Sequence, residues 1–191
     1  MIANPTALAQ HKLAPLDVAA ERENLSAAFA ALPPDLLQID VLNAAVTPER
    51  LECALAAGYH ILHFIGHGTF NSRRGQAALY LQDETGNTHI ATESDLSDLF
   101  KRQATRSHLV FLTACQSAER STVDAFVGLA PRLVQAGVPA VVAMQDRVAM
   151  AAAQKLTPVF YEELARHGEV DRALNAARSL LLTGRSAAGH T

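Results

Sequence analysis

Two short segments carry residue types that could do chemistry together. ILHFIGHG (61–68) ends an apolar run with His63 and His67, the second standing between Gly66 and Gly68. HLVFLTACQS (108–117) ends another apolar run at Cys115 and then turns polar. An imidazole beside a thiol favours the thiolate, and the thiolate is the attacking species, so the pair suits nucleophilic acyl transfer. Plain readings stand beside this one: a free cysteine is usually a small buried hydrophobe, and a histidine in a turn is often satisfied by a backbone carbonyl. Position favours function. Cys115 sits where an apolar run gives way to Gln116, Ser117, Glu119 and Arg120. Glycines on both sides of His67 would let the backbone turn tightly and a substrate come close without a Cβ in the way. His67 is then a general base or acid, with the N–H groups of Gly68 and Cys115 available to an oxyanion.

The His63-x-x-x-His67 spacing also invites zinc, because histidines four apart share a helix face. Tyr59, Ile61, Phe64 and Ile65 argue for a strand instead, and Phe64 occupies the place where metalloproteases carry glutamate. No third ligand follows by spacing, so no metal and no other cofactor is expected. His63 is read as a core residue or a support behind the site. Cys53, in LECALAAG with Leu51 and Leu55, is read as packing.

The elements that must position these groups alternate between short β-rich runs and longer helical stretches, the pattern of an α/β fold with a mainly parallel sheet. Strands are expected at 36–42, 59–65, 108–114 and 139–144, and helices at 17–32, 48–57, 92–103, 122–136, 149–167 and 169–182. Thr47-Pro48 and Thr92-Glu93-Ser94-Asp95 supply helix caps. AALYLQDETGNTHIA (77–91) reads as an inserted hairpin that could wall a cleft. In open α/β sheets reactive groups gather beyond the carboxyl ends of strands, and the runs ending at His67 and Cys115 are apolar enough to be central neighbours.

The bulk numbers narrow the class. A chain of 191 residues suits one domain, here 1–183 with a frayed polar tail over 184–191. MIANP reads as a first strand cut short, either because the chain came from a longer polypeptide or because the native amino terminus is short. A net charge of −3 and a pI near 6.2 leave no footprint for nucleic acid. No apolar span reaches membrane length and no signal sequence opens the chain. Two cysteines are too few for a disulfide framework, so a soluble cytoplasmic protein is expected.

With both segments in hand, the chain resembles the CHAT-domain family, bacterial cysteine peptidase-like domains related to caspases and separases. The resemblance rests on ANP near the start, PLDVAAERENLSAAF, ERLECALAAGYHILHFIGHG, LTACQSA, FVGLAPRLVQAGVPAVVAMQDRV and VFYEELARHGEVDRALNAAR, occurring in order. It implies a caspase-like three-layer α/β/α sandwich and a Cys-His dyad, with Cys115 matching the nucleophile, His67 the catalytic histidine and Gly68 the oxyanion position. The implied reaction is peptide-bond hydrolysis through an acyl-enzyme. No third acid is secured, and Glu119 and Asp124 read as solvated or capping residues.

The chain departs from the family pattern after strand 139–144. Relatives often show an aromatic step followed by acidic residues, whereas this chain has Asp146-Arg147-Val148-Ala149-Met150, with Ala149 and Met150 at the acidic positions. A preference for basic residues therefore does not carry over. Asp146 and Arg147 remain candidate substrate-pocket residues, with a helix-start role for Asp146 as the alternative. The leading expectation is an endopeptidase acting on a partner protein or peptide, regulated by upstream or repeat domains outside this chain. The rivals are a silent caspase-like scaffold and a metallohydrolase.

Overall fold

The computed structural model describes residues 1–30, 32–33, 37–42, 45–114, 120–143 and 150–183. In chain order these form a 3-10 turn (Leu8–His11), α1 (Val18–Ala30), α2 (Pro48–Ala56), β1 (Ile61–Gly66), β2 (Gly68–Asn71), β3 (Gln76–Gln82), β4 (Thr88–Thr92), α3 (Glu93–Lys101), β5 (Leu109–Ala114), α4 (Arg120–Gln135), β6 (Ala140–Ala143), α5 (Met150–His167) and α6 (Val170–Thr183). The chain divides into two compact units, Met1–Val18 with Val41–Arg147 and Ala19–Asp40 with Val148–Thr191.

The first unit holds both sheets. One is parallel in the order β1-β5-β6, and the other is antiparallel in the order β2-β3-β4. The fold is thus mixed α/β, with a parallel sheet accompanied by helices as in a caspase-like sandwich. Apolar runs without alternation make β5 a central strand buried on both faces, Leu109 to Leu112 being enclosed throughout. Phe64 of β1 meets Phe126 of α4 edge to face at 6.2 Å, and Leu51, Leu55, Leu79, Leu81, Leu96 and Leu129 fill the same core. α4 packs on β2 and β3.

In the second unit α5 and α6 pack together. Phe160, Tyr161, Ala173 and Ala177 are buried there, and Phe29 of α1 lies 4.9 Å from the Tyr161 ring.

Helix starts follow the expected cap chemistry. Thr47 Oγ1 accepts from the Arg50 N–H at 3.2 Å, with Pro48 in the first turn of α2. Thr92 and Asp95 form a reciprocal capping box on α3. The expected hairpin is β3–β4, extended by β2 into a three-stranded sheet.

The strand expected at 36–42 is not formed among its described residues, 37–42, and Ile39 and Val41 are 46% and 37% exposed. Leu42, at the end of the segment, packs partly buried against the core. The place beside β1 is taken by the start of the chain: the Ala3 N–H donates to the Ile65 carbonyl and the Ile65 N–H to the Met1 carbonyl, both at 2.9 Å. Ile2 in turn donates its N–H to the Leu42 carbonyl. The MIA fragment, read as a first strand cut short, thus pairs with the edge of β1 through a single parallel bridge, Ile2 to Ile65. The tail 184–191 lies outside the described residues.

Candidate functional site

β1 pairs with β5 in parallel so that Gly66 stands opposite Ala114. The chain leaves both strands at the same level. After Gly66, a single residue, His67, separates the parallel sheet from β2 of the antiparallel sheet. The histidine thus sits at a joint between two sheets, and its carbonyl accepts from the Tyr80 N–H at 3.0 Å. Cys115 follows Ala114 in the sequence and lies outside the described residues, as do Asp146 and Arg147.

The His67 side chain is 0% exposed. Its Nε2 lies 3.0 Å from the Ala14 carbonyl oxygen, which can only accept, so Nε2 carries the proton. Burial pushes the imidazole below its usual pKa, and the Ala14 carbonyl offsets part of that shift. The ring is consequently neutral near pH 7, with a bare lone pair on Nδ1. That buried atom has no hydrogen-bond partner among the described residues. A buried polar atom left without a partner costs about 1–3 kcal/mol. A bare Nδ1 can accept a hydrogen bond or a proton.

The carbonyl that sets this tautomer belongs to a strap over residues 4–16. Asn4 clamps its ends, Oδ1 accepting from the Leu16 N–H at 2.9 Å and Nδ2 donating to the Leu16 carbonyl at 3.3 Å. The β3–β4 turn holds its first half, where the Thr6 N–H donates to the Gly86 carbonyl and Thr88 Oγ1 donates to the Thr6 carbonyl. Leu8 and Leu13 pack with Tyr80, and the His11 ring lies 4.8 Å from Tyr80. Ala7 and Lys12 adopt left-handed conformations, φ 61° and 59°, on either side of the 3-10 turn. Each such residue stores about 1–3 kcal/mol of strain that persists only where surrounding contacts enforce it. Ala14 itself precedes Pro15, which restricts it to extended backbone and stiffens the carbonyl it presents.

The two glycines have a different reason from the one their spacing suggests. Neither Gly66 nor Gly68 has positive φ, so no tight turn requires them. A Cβ on Gly66 would lie 2.5 Å from the Phe64 ring, and one on Gly68 would lie 2.8 Å from Ala125 Cβ and 3.0 Å from the Ala78 oxygen. They are packing glycines, and Gly68 admits α4 against β2. The first turn of α4 then reaches the site: Thr122, 0% exposed, donates its hydroxyl to the Gly68 carbonyl at 3.0 Å and accepts from the Gly68 N–H at 3.4 Å.

The geometry meets an independent finding: the family model for the CHAT domain matches residues 1–190. The chain belongs to the CHAT-domain family. That family is related to the caspase-like peptidases. No curated protein matches the chain.

Within this CHAT domain the two histidines do separate work. His63 Nε2 lies 2.9 Å from Thr113 Oγ1 on the neighbouring β5, and its ring stacks on Phe111 at 4.7 Å. The residue keeps some surface, yet the ring is surrounded by protein, and burial pushes its pKa down to about 3. It ties β1 to β5 four residues before His67. Among the described residues no cluster of three metal-ligating side chains occurs.

Cys53 is a correction. It is exposed, not packed. Leu51 and Leu55 are four apart and face the core, so the residue midway between them points away from that face. The groups missed by the sequence reading are the Ala14 carbonyl and Thr122. A backbone carbonyl has no residue signature, though the strap's Asn4-Pro5 and Ala14-Pro15 steps mark turns. Thr122 reads as an ordinary helix-start threonine until α4 is seen against β2.

Proposed function

We propose that this CHAT domain is a cysteine endopeptidase in which Cys115 is the nucleophile and His67 its base. The observation that carries the reading is the buried Nδ1 of a neutral imidazole at the end of β1, which has no hydrogen-bond partner among the described residues. The β1–β5 register supports it, because the nucleophile's strand ends beside the base's strand. The thiol proton passes to Nδ1, the sulfur attacks the scissile carbonyl carbon, and the carbonyl electron pair becomes an oxyanion. The imidazolium that forms is stabilised by the Ala14 carbonyl on Nε2–H, the role an acidic side chain plays in a triad. Collapse breaks the C–N bond, with Nδ1–H protonating the leaving amine, and water then hydrolyses the thioester.

The substrate is a segment of a partner protein, recognised through a pocket to which Asp146 and Arg147 contribute. Regulatory or repeat domains upstream control access, and the domain works in the cytoplasm. No helix of the described residues is long and apolar enough to cross a membrane. Mass-spectrometric profiling of new N-termini in a cell extract tests the activity. Cleavages present with the active chain and absent with Cys115→Ala are expected, and identical profiles would overturn the peptidase. The complete enclosure of His67 favours one rival, a scaffold with no turnover, and that rival predicts the identical profiles.

A further inference from the structure

Gly68 and Leu79 are opposite one another in an antiparallel pair, while the neighbouring Tyr80 N–H bonds to the His67 carbonyl. In such a ladder residues alternate between bonded and non-bonded pairs, so Gly68 and Leu79 form a non-bonded pair. The N–H and C=O of Gly68 therefore point away from β3, toward the free edge of β2. Among the described side chains, the Thr122 hydroxyl of α4 meets them there. The Thr122 hydroxyl gives its proton to the Gly68 carbonyl at 3.0 Å, a good bond, and faces the Gly68 N–H at 3.4 Å, a long one. The side chain is fully buried and α4 is close because Gly68 lacks a Cβ.

From this geometry we infer that Thr122 is the positioning residue for the oxyanion donor, holding Gly68 by its carbonyl so that the N–H stays aimed at the reacting carbonyl oxygen. The inference rests on the Cys115–His67 reading with Gly68 as its oxyanion donor, and adds to it the group that acts through Gly68. The strong contact fixes the residue; the weak one keeps the N–H partnered between turnovers and is easily surrendered. An anionic oxygen accepts more strongly than a neutral hydroxyl, so the N–H transfers when negative charge develops. Thr122 also lies seven residues beyond Cys115 in the sequence, so it couples the helix that follows the nucleophile to the strand that follows the base.

Two small probes separate this role from the dyad. p-Nitrophenyl acetate acylates a thiol through an oxyanion: the thiol proton goes to His67, the S–C bond forms, and p-nitrophenolate departs as the tetrahedral intermediate collapses. Iodoacetamide alkylates the same sulfur by displacing iodide, with no oxyanion. In Thr122→Val, acylation of Cys115 is expected to fall about ten- to a hundredfold, part of the roughly 10²–10³ that a whole oxyanion donor is worth. Alkylation keeps its wild-type rate, and Thr122→Ser, which retains the hydroxyl, restores acylation. Acylation equally fast in Thr122→Val, no rescue by Thr122→Ser, or a wild-type Cys115 that alkylates but never acylates would each overturn the role of Thr122. Alkylation that is indifferent to His67→Gln would instead overturn the dyad itself. Near-ultraviolet circular dichroism identifies a misfolded valine variant, and in that case the serine variant decides: acylation slowed in Thr122→Ser as well overturns the role.

Discussion

The His67 imidazole has Nε2 bonded to a carbonyl and Nδ1 without a hydrogen-bond partner among the described residues, the arrangement that the proposed base requires. The Ala14 carbonyl chooses the tautomer, and burial favours the uncharged ring. Nitrogen-15 NMR of labelled protein near pH 7 should therefore find His67 protonated on Nε2 and unprotonated on Nδ1; a proton on Nδ1, or on both, would contradict the assignment. At this scale the sequence was informative about identity and poor about partnership. The flanking glycines suggested a tight turn at His67, but their missing Cβ atoms make room for Phe64 and Ala125 instead. The partner of Nε2 is a main-chain atom fifty-three residues away in sequence, and nothing in residue type announces it.

At the scale of elements, two features bring the site together: α4 pressed onto β2, and the strap clamped by Asn4. Gly68→Ala sets a new methyl against Ala125 and the Ala78 carbonyl, and overpacking of this kind costs about 1–3 kcal/mol. Denaturant midpoints should fall accordingly, and an unchanged midpoint would show that α4 can retreat freely. Asn4→Ala removes both clamp bonds to Leu16, each worth about 0.5–1.5 kcal/mol. The expected result is a modest loss of stability together with a slower reaction of Cys115 with iodoacetamide, because the Ala14 carbonyl loses its fixed position. Stability lost with reactivity intact would reduce the strap to packing. Element types and most boundaries were legible in periodicity and caps. The failure at 36–42 is instructive: Ile39 and Val41 alternate as a strand should, but the edge of β1 is already paired to Met1–Ala3, and local alternation carries no information about which segment wins an edge.

Across the whole molecule, buried neutral histidines set an acid limit. His63 has its pKa lowered to about 3 from 6.5, and His67 is lowered as well, so the fold favours their uncharged forms. The stability this contributes is fully present above pH 6.5 and is lost as pH falls toward 3. Urea midpoints should decline through that window, and His63→Phe should flatten the decline; an equal slope in both proteins would remove His63 as its source. The α/β class and the CHAT relationship were both readable from the order of motifs, since the family match spans residues 1–190. Substrate choice was not, because the residues expected to shape the pocket depart from the family pattern at Asp146–Met150.

The central claim is that His67 activates Cys115, and the pH dependence of iodoacetamide alkylation at Cys115 tests it most directly. In the wild-type protein the acid limb should lie below the ordinary histidine value of about 6.5, because reactivity appears as soon as the buried imidazole is free to take the thiol proton. In His67→Gln the limb should move up to the range of a lone thiol, about 8.5. One and the same profile in both proteins would contradict the account.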